Sequence, residues 1–189
     1  GSNGQMFKLT DWAGNPLSDD YAGQRMRNEP LVEITQVKGT SDTHPLLSKN
    51  DEWADFEIAP YRVATKLPSE PAGGYVRDAY LRGLKLAAGG ISNPYKFGLI
   101  GSTDTHVAGG SDQEVSFFSK AGLLDSSAVR RGSIPTDVVR SKIYNWLLPG
   151  AVKTVAGKDY MSLSSFEYWG ASGLAAVWAE ENTRKAIYE

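Results

Sequence analysis

The residues of this chain best suited to chemistry lie in a hexapeptide that occurs nearly twice. It reads Gly39-Thr40-Ser41-Asp42-Thr43-His44 and again Gly101-Ser102-Thr103-Asp104-Thr105-His106, and the two copies carry both histidines of the protein. Carboxylate and neutral imidazole are the donors that borderline divalent ions such as zinc, manganese or iron select. In extended backbone, residues i and i+2 project to the same side, so an Asp-x-His triplet can aim an oxygen and a ring nitrogen at one point. The bland reading is an aspartate that fixes a loop or a histidine tautomer, and any single Asp-x-His can do that. Repetition of the whole hexapeptide, with glycine and hydroxyl residues suited to a tight exit from a strand, favours a shared metal or catalytic centre.

Elements able to position these triplets are legible from periodicity. Ser18 reads as the cap of a helix through Met26 that Glu29-Pro30 stops. Residues 31–37 alternate and are β-branched, the pattern of a strand, and the first triplet follows them. Residues 74–88 form an amphipathic pattern, with Val76, Ala79, Tyr80, Gly83, Leu84 and Ala87 on one face and Gly89-Gly90 closing the helix. Residues 95–100 read as a short buried strand with the second triplet at its exit. The order helix, strand, Asp-x-His therefore repeats. Folds of the α/β class keep their active sites at the C-terminal ends of parallel strands. The two strands are accordingly expected as parallel members of one sheet, with both triplets facing one pocket.

The remaining segments carry less signal. Residues 45–72 are polar and irregular, with an acidic stretch from Asp51 to Glu57. Residues 107–132 read as a glycine- and serine-rich loop of lid type. Thr136 or Asp137 caps a helix through Val139, Ile143, Trp146 and Leu147, ended by Pro149-Gly150. Residues 174–179 are an apolar run, either a strand or part of a continuous helix from Ser172, and Asn182 or Thr183 caps a final helix. The five tryptophans have no stacking spacing and are expected to serve core and loop packing.

With 189 residues the chain is long enough for one domain with its own core. A net charge of -2 leaves no electrostatic footprint for nucleic acid. No polybasic run points to a membrane surface, and no apolar stretch approaches a membrane span. The absence of cysteine excludes disulfides and thiolate ligands but does not choose a compartment. No signal peptide is visible, and Gly1-Ser2 reads as an expression scar.

Residues 33–45 (EITQVKGTSDTHP), 50–57 (NDEWADFE), 93–106 (NPYKFGLIGSTDTH) and 176–184 (AVWAEENTR) resemble signature segments of a bacterial family, domain of unknown function 3604. The resemblance runs over nearly the whole chain. That family is itself similar to the polymerase-and-histidinol-phosphatase (PHP) superfamily of metal-dependent hydrolases. The resemblance implies an α/β fold, here a partial PHP-like distorted parallel β/α barrel with long irregular loops. It implies two or three divalent metal ions (zinc, manganese or iron) at the strands' C-terminal ends, and hydrolysis of a small-molecule phosphoester. Residues 101–106 match the superfamily's Gly-Ser-Asp-x-His-like last motif with one extra residue, so Asp104 and His106 are the implied ligands. Glu33 is similar to a strand glutamate that bridges metals there, and His44 to a mid-chain histidine ligand. Asp42 is the weaker counterpart, a partner able to orient His44.

One departure matters. The superfamily's opening His-x-His and its second Asp-His motif are absent from this sequence, which places them upstream of Asn3. The start, Asn3-Gly4-Gln5-Met6, has no initiator context, and residues 183–189 read as a helix just begun, so the chain is expected to be an interior piece holding part of the metal centre. Self-association through an uncovered sheet edge is then expected. Lys38 or Arg62 could neutralise substrate oxyanions, against the bland reading of a solvated charge. Two rival functions remain: a non-catalytic domain whose triplets are structural, and a sulfatase-like or carbohydrate-ester hydrolase using the same centre.

Overall fold

The computed structural model describes residues 2–63, 65, 67–107, 112–118, 127–163 and 171–188. Its first helix, α1 (Asp19–Asn28), begins where Ser18 Oγ accepts the Tyr21 N–H at 3.2 Å. Asp19 and Asp20 lie at its N-terminal end and Arg25 and Arg27 in its last turn, both favourable to the helix dipole. Pro30 then forces extended backbone, and β1 (Leu31–Gln36) follows. As expected, β1 lies parallel to β3 (Gly98–Gly101), with Leu31 opposite Gly98 and Glu33 opposite Ile100. The connection runs through α2 (Val76–Ala88). That helix closes with Gly90 at φ 86°, where Gly90 N–H reaches the Ala87 carbonyl and Ile91 N–H the Leu86 carbonyl, both at 3.1 Å.

β1 does not deliver the first triplet at its end. It turns through Val37 and Lys38 into β2 (Gly39–Thr40) and pairs with it antiparallel, Gln36 opposite Gly39. The sheet order is β2-β1-β3. One edge of β1 is thus taken by the chain's own return, leaving a single parallel pair. The described residues form an α/β arrangement of two small sheets and no closed barrel.

The main core joins this sheet to α2 and to the segment before α1. It consists of Phe7, Val32, Val76, Ala79, Tyr95 and Phe97, all buried. Phe7 and Tyr95 meet edge to face at 5.6 Å. Tyr95 and Phe97 are anchors of the lead-in and not of the strand, so β3 starts later than its pattern predicts, and its Leu99 is exposed. On α2, Leu84 and Ala87 are exposed while Leu86 joins the core. Leu84 and Leu86 flank the apolar stripe on opposite sides, and of the two only Leu86 packs on the core.

The second half holds a hairpin that the sequence reading missed. β4 (Val152–Val155) and β5 (Lys158–Met161) pair antiparallel around Ala156 and Gly157, at φ 49° and 75°. Two consecutive positive φ values suit a tight hairpin turn. α3 (Ala128–Arg131) and α4 (Val138–Leu147) pack on β5. Asp137 caps α4, accepting the Val139 and Arg140 N–H groups at 3.1 and 2.9 Å. α4 docks by hydroxyl and carboxylate: buried Ser141 donates to Asp159 Oδ2 at 2.5 Å. Its apolar residues Val139, Ile143, Trp146 and Leu147 face outward.

Residues 108–111 and 119–126 of the lid-type loop lie outside the described residues; the rest includes a 3-10 turn at Glu114–Ser116 and α3. Residues 174–179 are neither strand nor helix. Thr183 Oγ1 accepts the Ala186 N–H at 3.3 Å and opens α5 (Arg184–Tyr188). Trp12, Trp53, Trp146 and Trp178 are exposed, against the expected packing role, and Trp169 lies outside the described residues. No described helix is long and apolar enough to cross a membrane.

Candidate functional site

The second triplet arrives where the sequence reading put it. Ser102 N–H donates to the Thr35 carbonyl at 3.0 Å, one ladder bond beyond β3. This carries the chain out at the C-terminal ends of β1 and β3. Thr103 and Thr105 turn inward and are buried. Between and after them, Asp104 and His106 sit at φ 49° and 55°, a region uncommon for residues other than glycine. The triplet is therefore not the extended segment assumed from its spacing. Its two side chains still meet, with His106 Nε2 2.6 Å from Asp104 Oδ1.

A polar series runs inward from this pair. The Lys38 ammonium forms an ion pair with Asp104 Oδ2. It also donates to Gln36 Oε1 at 2.9 Å, and the Gln36 amide donates to Glu33 Oε1. Lys38 stands on the β1–β2 turn, so the hairpin aims its cation at the exit of β3. The Asp104 side chain is only 12% exposed. Burying a carboxylate so far requires compensating charge, and Lys38 supplies it.

Two segments cover the far side of this hairpin turn. Val37, next to Lys38, is fully buried against Phe117 and Ala171. Glu114 ties those segments together: its Oε2 accepts the Ala171 N–H at 2.9 Å, and its Oε1 accepts Ser133 Oγ–H at 2.8 Å and Arg131 at 3.1 Å. Arg131 in turn donates to the Phe117 carbonyl at 3.0 Å, with its guanidinium over the Phe117 ring. Burial pushes the Glu114 carboxyl up, but these bonds outweigh it and hold the carboxyl below its ordinary range. Beside β3 the backbones touch: a Cβ on Gly101 would lie 2.5 Å from the Ser172 carbonyl oxygen. Only glycine fits there.

The first triplet is carried to the other side of β1. Ser41 N–H donates to the Ile34 carbonyl at 2.6 Å, so the chain runs back along β1. The start of α2 docks on it: Val76 N–H donates to the Ser41 carbonyl and Arg77 N–H to the Asp42 carbonyl, at 2.9 and 3.0 Å. The Arg77 guanidinium clamps Asp42 at 2.5 Å and Asp51 at 2.6 Å. Arg77 holds the Asp51 carboxyl below its ordinary value, and the two carboxylates raise that of Arg77. His44 packs on Tyr75 with ring centres 5.5 Å apart. Its burial pushes the imidazole pKa down. His44 Nδ1 accepts the Leu46 N–H at 3.1 Å, so the proton of the neutral ring sits on Nε2. A metal-bound histidine has the opposite arrangement, with the nitrogen remote from the ion donating.

Of the sequence-predicted residues, the structure thus joins Asp104, His106 and Glu33 through Gln36 and Lys38. It gives Asp42 and His44 a separate environment built on Arg77 and Tyr75. Arg62 serves its own loop, donating to the Pro68 carbonyl at 3.2 Å. Among the described residues, no group of three or more histidine, aspartate or glutamate side chains is arranged to hold a metal ion. Sequence reasoning missed Gln36, Arg77, Glu114 and Arg131. The alternation of β1 was a usable signal for Gln36; the others meet partners too distant in the chain for spacing to reveal.

No curated protein and no solved structure matches this chain. A family model described as "Protein of unknown function (DUF3604)" matches residues 1–189, and the chain belongs to that family.

Proposed function

We propose that this chain forms part of a metal-dependent hydrolase of the PHP type, acting on small phosphoesters. The observation that carries the reading is the contact of Asp104 Oδ1 with His106 Nε2 at 2.6 Å, at the C-terminal exit of a strand parallel to β1. The donor set fits a divalent ion in kind: one carboxylate and one imidazole converge, and a cation, Lys38, already lies on the carboxylate. Asp104 and His106 would hold the ion, with Glu33, tied to them through Gln36 and Lys38, as the further candidate ligand. A divalent ion held there would supply acidification of a bound water and polarisation of a phosphoryl oxygen. Lys38, released from Asp104, would neutralise a substrate oxyanion. On this reading β1 and β3 are neighbouring strands of a barrel.

The test is metal analysis and turnover of phosphomonoesters, phosphodiesters and sulfate esters by the longest natural form that contains this chain. His106→Ala and Asp104→Asn are expected to lose most of both, with the circular dichroism of the parent. Unchanged metal content and turnover in both variants reject the assignment. One observation favours a second reading, a non-catalytic domain: the Lys38–Asp104 ion pair satisfies the carboxylate from within the chain. That reading is correct if the parent protein binds no divalent ion and cleaves none of the esters.

A further inference from the structure

A cavity of about 390 Å³ lies between α3, α4 and β5, lined among others by Ser127, Arg130, Thr136, Arg140, Tyr144 and Met161. Among the described residues its polar lining is donor-bearing: two guanidinium groups and three hydroxyls. Thr136 Oγ1 is buried there without a hydrogen-bond partner. Buried hydroxyls are nearly always bonded, so an orphan at a cavity wall marks the place of a missing acceptor. Ser127 Oγ accepts the Arg130 N–H at 3.3 Å as the cap of α3, which leaves its proton to donate. Arg140 approaches Asp137 with its Nε at 3.3 Å, and its side chain is otherwise largely exposed. Asp137 is itself occupied in capping α4.

We propose that this cavity binds a phosphoryl group borne by a small organic molecule. A phosphoryl group offers three acceptor oxygens and matches the fork of a guanidinium. The Thr136, Ser127 and Tyr144 hydroxyls complete its shell, and the Tyr144 ring and Met161 side chain give its organic part an apolar wall. None of the lining residues belongs to the Asp104–His106 series, so the site stands independently of the hydrolase reading.

Titration calorimetry of the intact chain with inorganic phosphate, phenyl phosphate, sulfate and acetate tests it. Phenyl phosphate is expected to bind more tightly than phosphate, and acetate least. Arg140→Gln is expected to weaken phenyl phosphate about tenfold, the loss of one charge-assisted contact. Thr136→Val, which removes the orphan hydroxyl at constant shape, should weaken it several-fold without lowering the melting temperature. Binding should weaken as salt rises. The proposal is overturned by absence of saturable phosphate binding, by equal affinity for acetate, or by affinities unchanged in both variants. Binding that survives Arg140→Gln but is lost in His106→Ala also overturns it, and moves the phosphoryl group to the other centre.

Discussion

Lys38 and Arg77 both neutralise aspartates, yet their contributions differ because their surroundings differ. The Asp42 and Arg77 side chains are each more than 40% exposed. Solvent screens such a pair to about 0–1 kcal/mol, so Arg77→Met is expected to change unfolding free energy by no more than that in urea titrations. Lys38 faces an Asp104 carboxylate that is largely buried. Lys38→Met removes the ammonium from that carboxylate and is expected to cost about 1–3 kcal/mol. If Asp104 and His106 are ligands, zinc or manganese will restore stability to the Lys38→Met protein, read as a rise in melting temperature. A Lys38→Met variant that unfolds like the parent, with and without metal, removes Lys38 from the site. The positive φ values of Asp104 and His106 belong to the same scale, since strained non-glycine backbone persists only where its surroundings enforce it.

Among the elements, the cover over the β1–β2 turn rests on one backbone contact and one carboxylate. A methyl group on Gly101 meets the Ser172 carbonyl, so Gly101→Ala is expected to cost about 1–3 kcal/mol and to speed limited proteolysis within residues 171–183. Equal cleavage rates would show that the contact does not hold the segment. Glu114 gives this cover a pH dependence whose sign follows from linkage. Its carboxyl lies below its ordinary 4.5 in the folded chain, so the unfolded chain takes up the proton first. The stabilisation is complete above about pH 4.5 and is lost as pH falls through the lower folded value. Urea midpoints should therefore drop more steeply on acidification for the parent than for Glu114→Gln, and parallel profiles would remove Glu114 from this role.

For the molecule as a whole, the surface with the most to hide is α4, where Val139, Ile143, Trp146 and Leu147 are exposed in one row. The sheet edges are better covered than expected: Thr40 N–H donates to the Glu57 carbonyl at 2.8 Å outside β2, and residues 172 and 173 press on Gly101. Self-association is therefore expected to run through α4, not through a strand. Contiguous exposed apolar surface of this kind favours association. Sedimentation velocity should show a larger species growing with concentration, and Trp146→Lys should diminish it. A parent protein that stays monomeric at high concentration ends this idea.

The sequence by itself determined what local chemistry determines. Ser18, Asp137 and Thr183 cap helices because each bonds an N–H two or three residues ahead. The alternation of residues 31–37, the Gly89-Gly90 stop and the parallel partnership of two strands were legible for the same reason, as was the Asp104–His106 pair at a strand exit. Tertiary structure decided the rest. Whether β1 continued outward or turned back on itself depended on which neighbour took its edge, and the choice of β2 put the two triplets on opposite sides of one strand. Lys38 meets Asp104 across 66 residues, and Glu114 meets Ala171 across 57. α4 shows its apolar side to solvent because Ser141 and Asp159 bind it by the other. Such pairings follow from packing between segments far apart in the chain, and spacing along it carries no record of them.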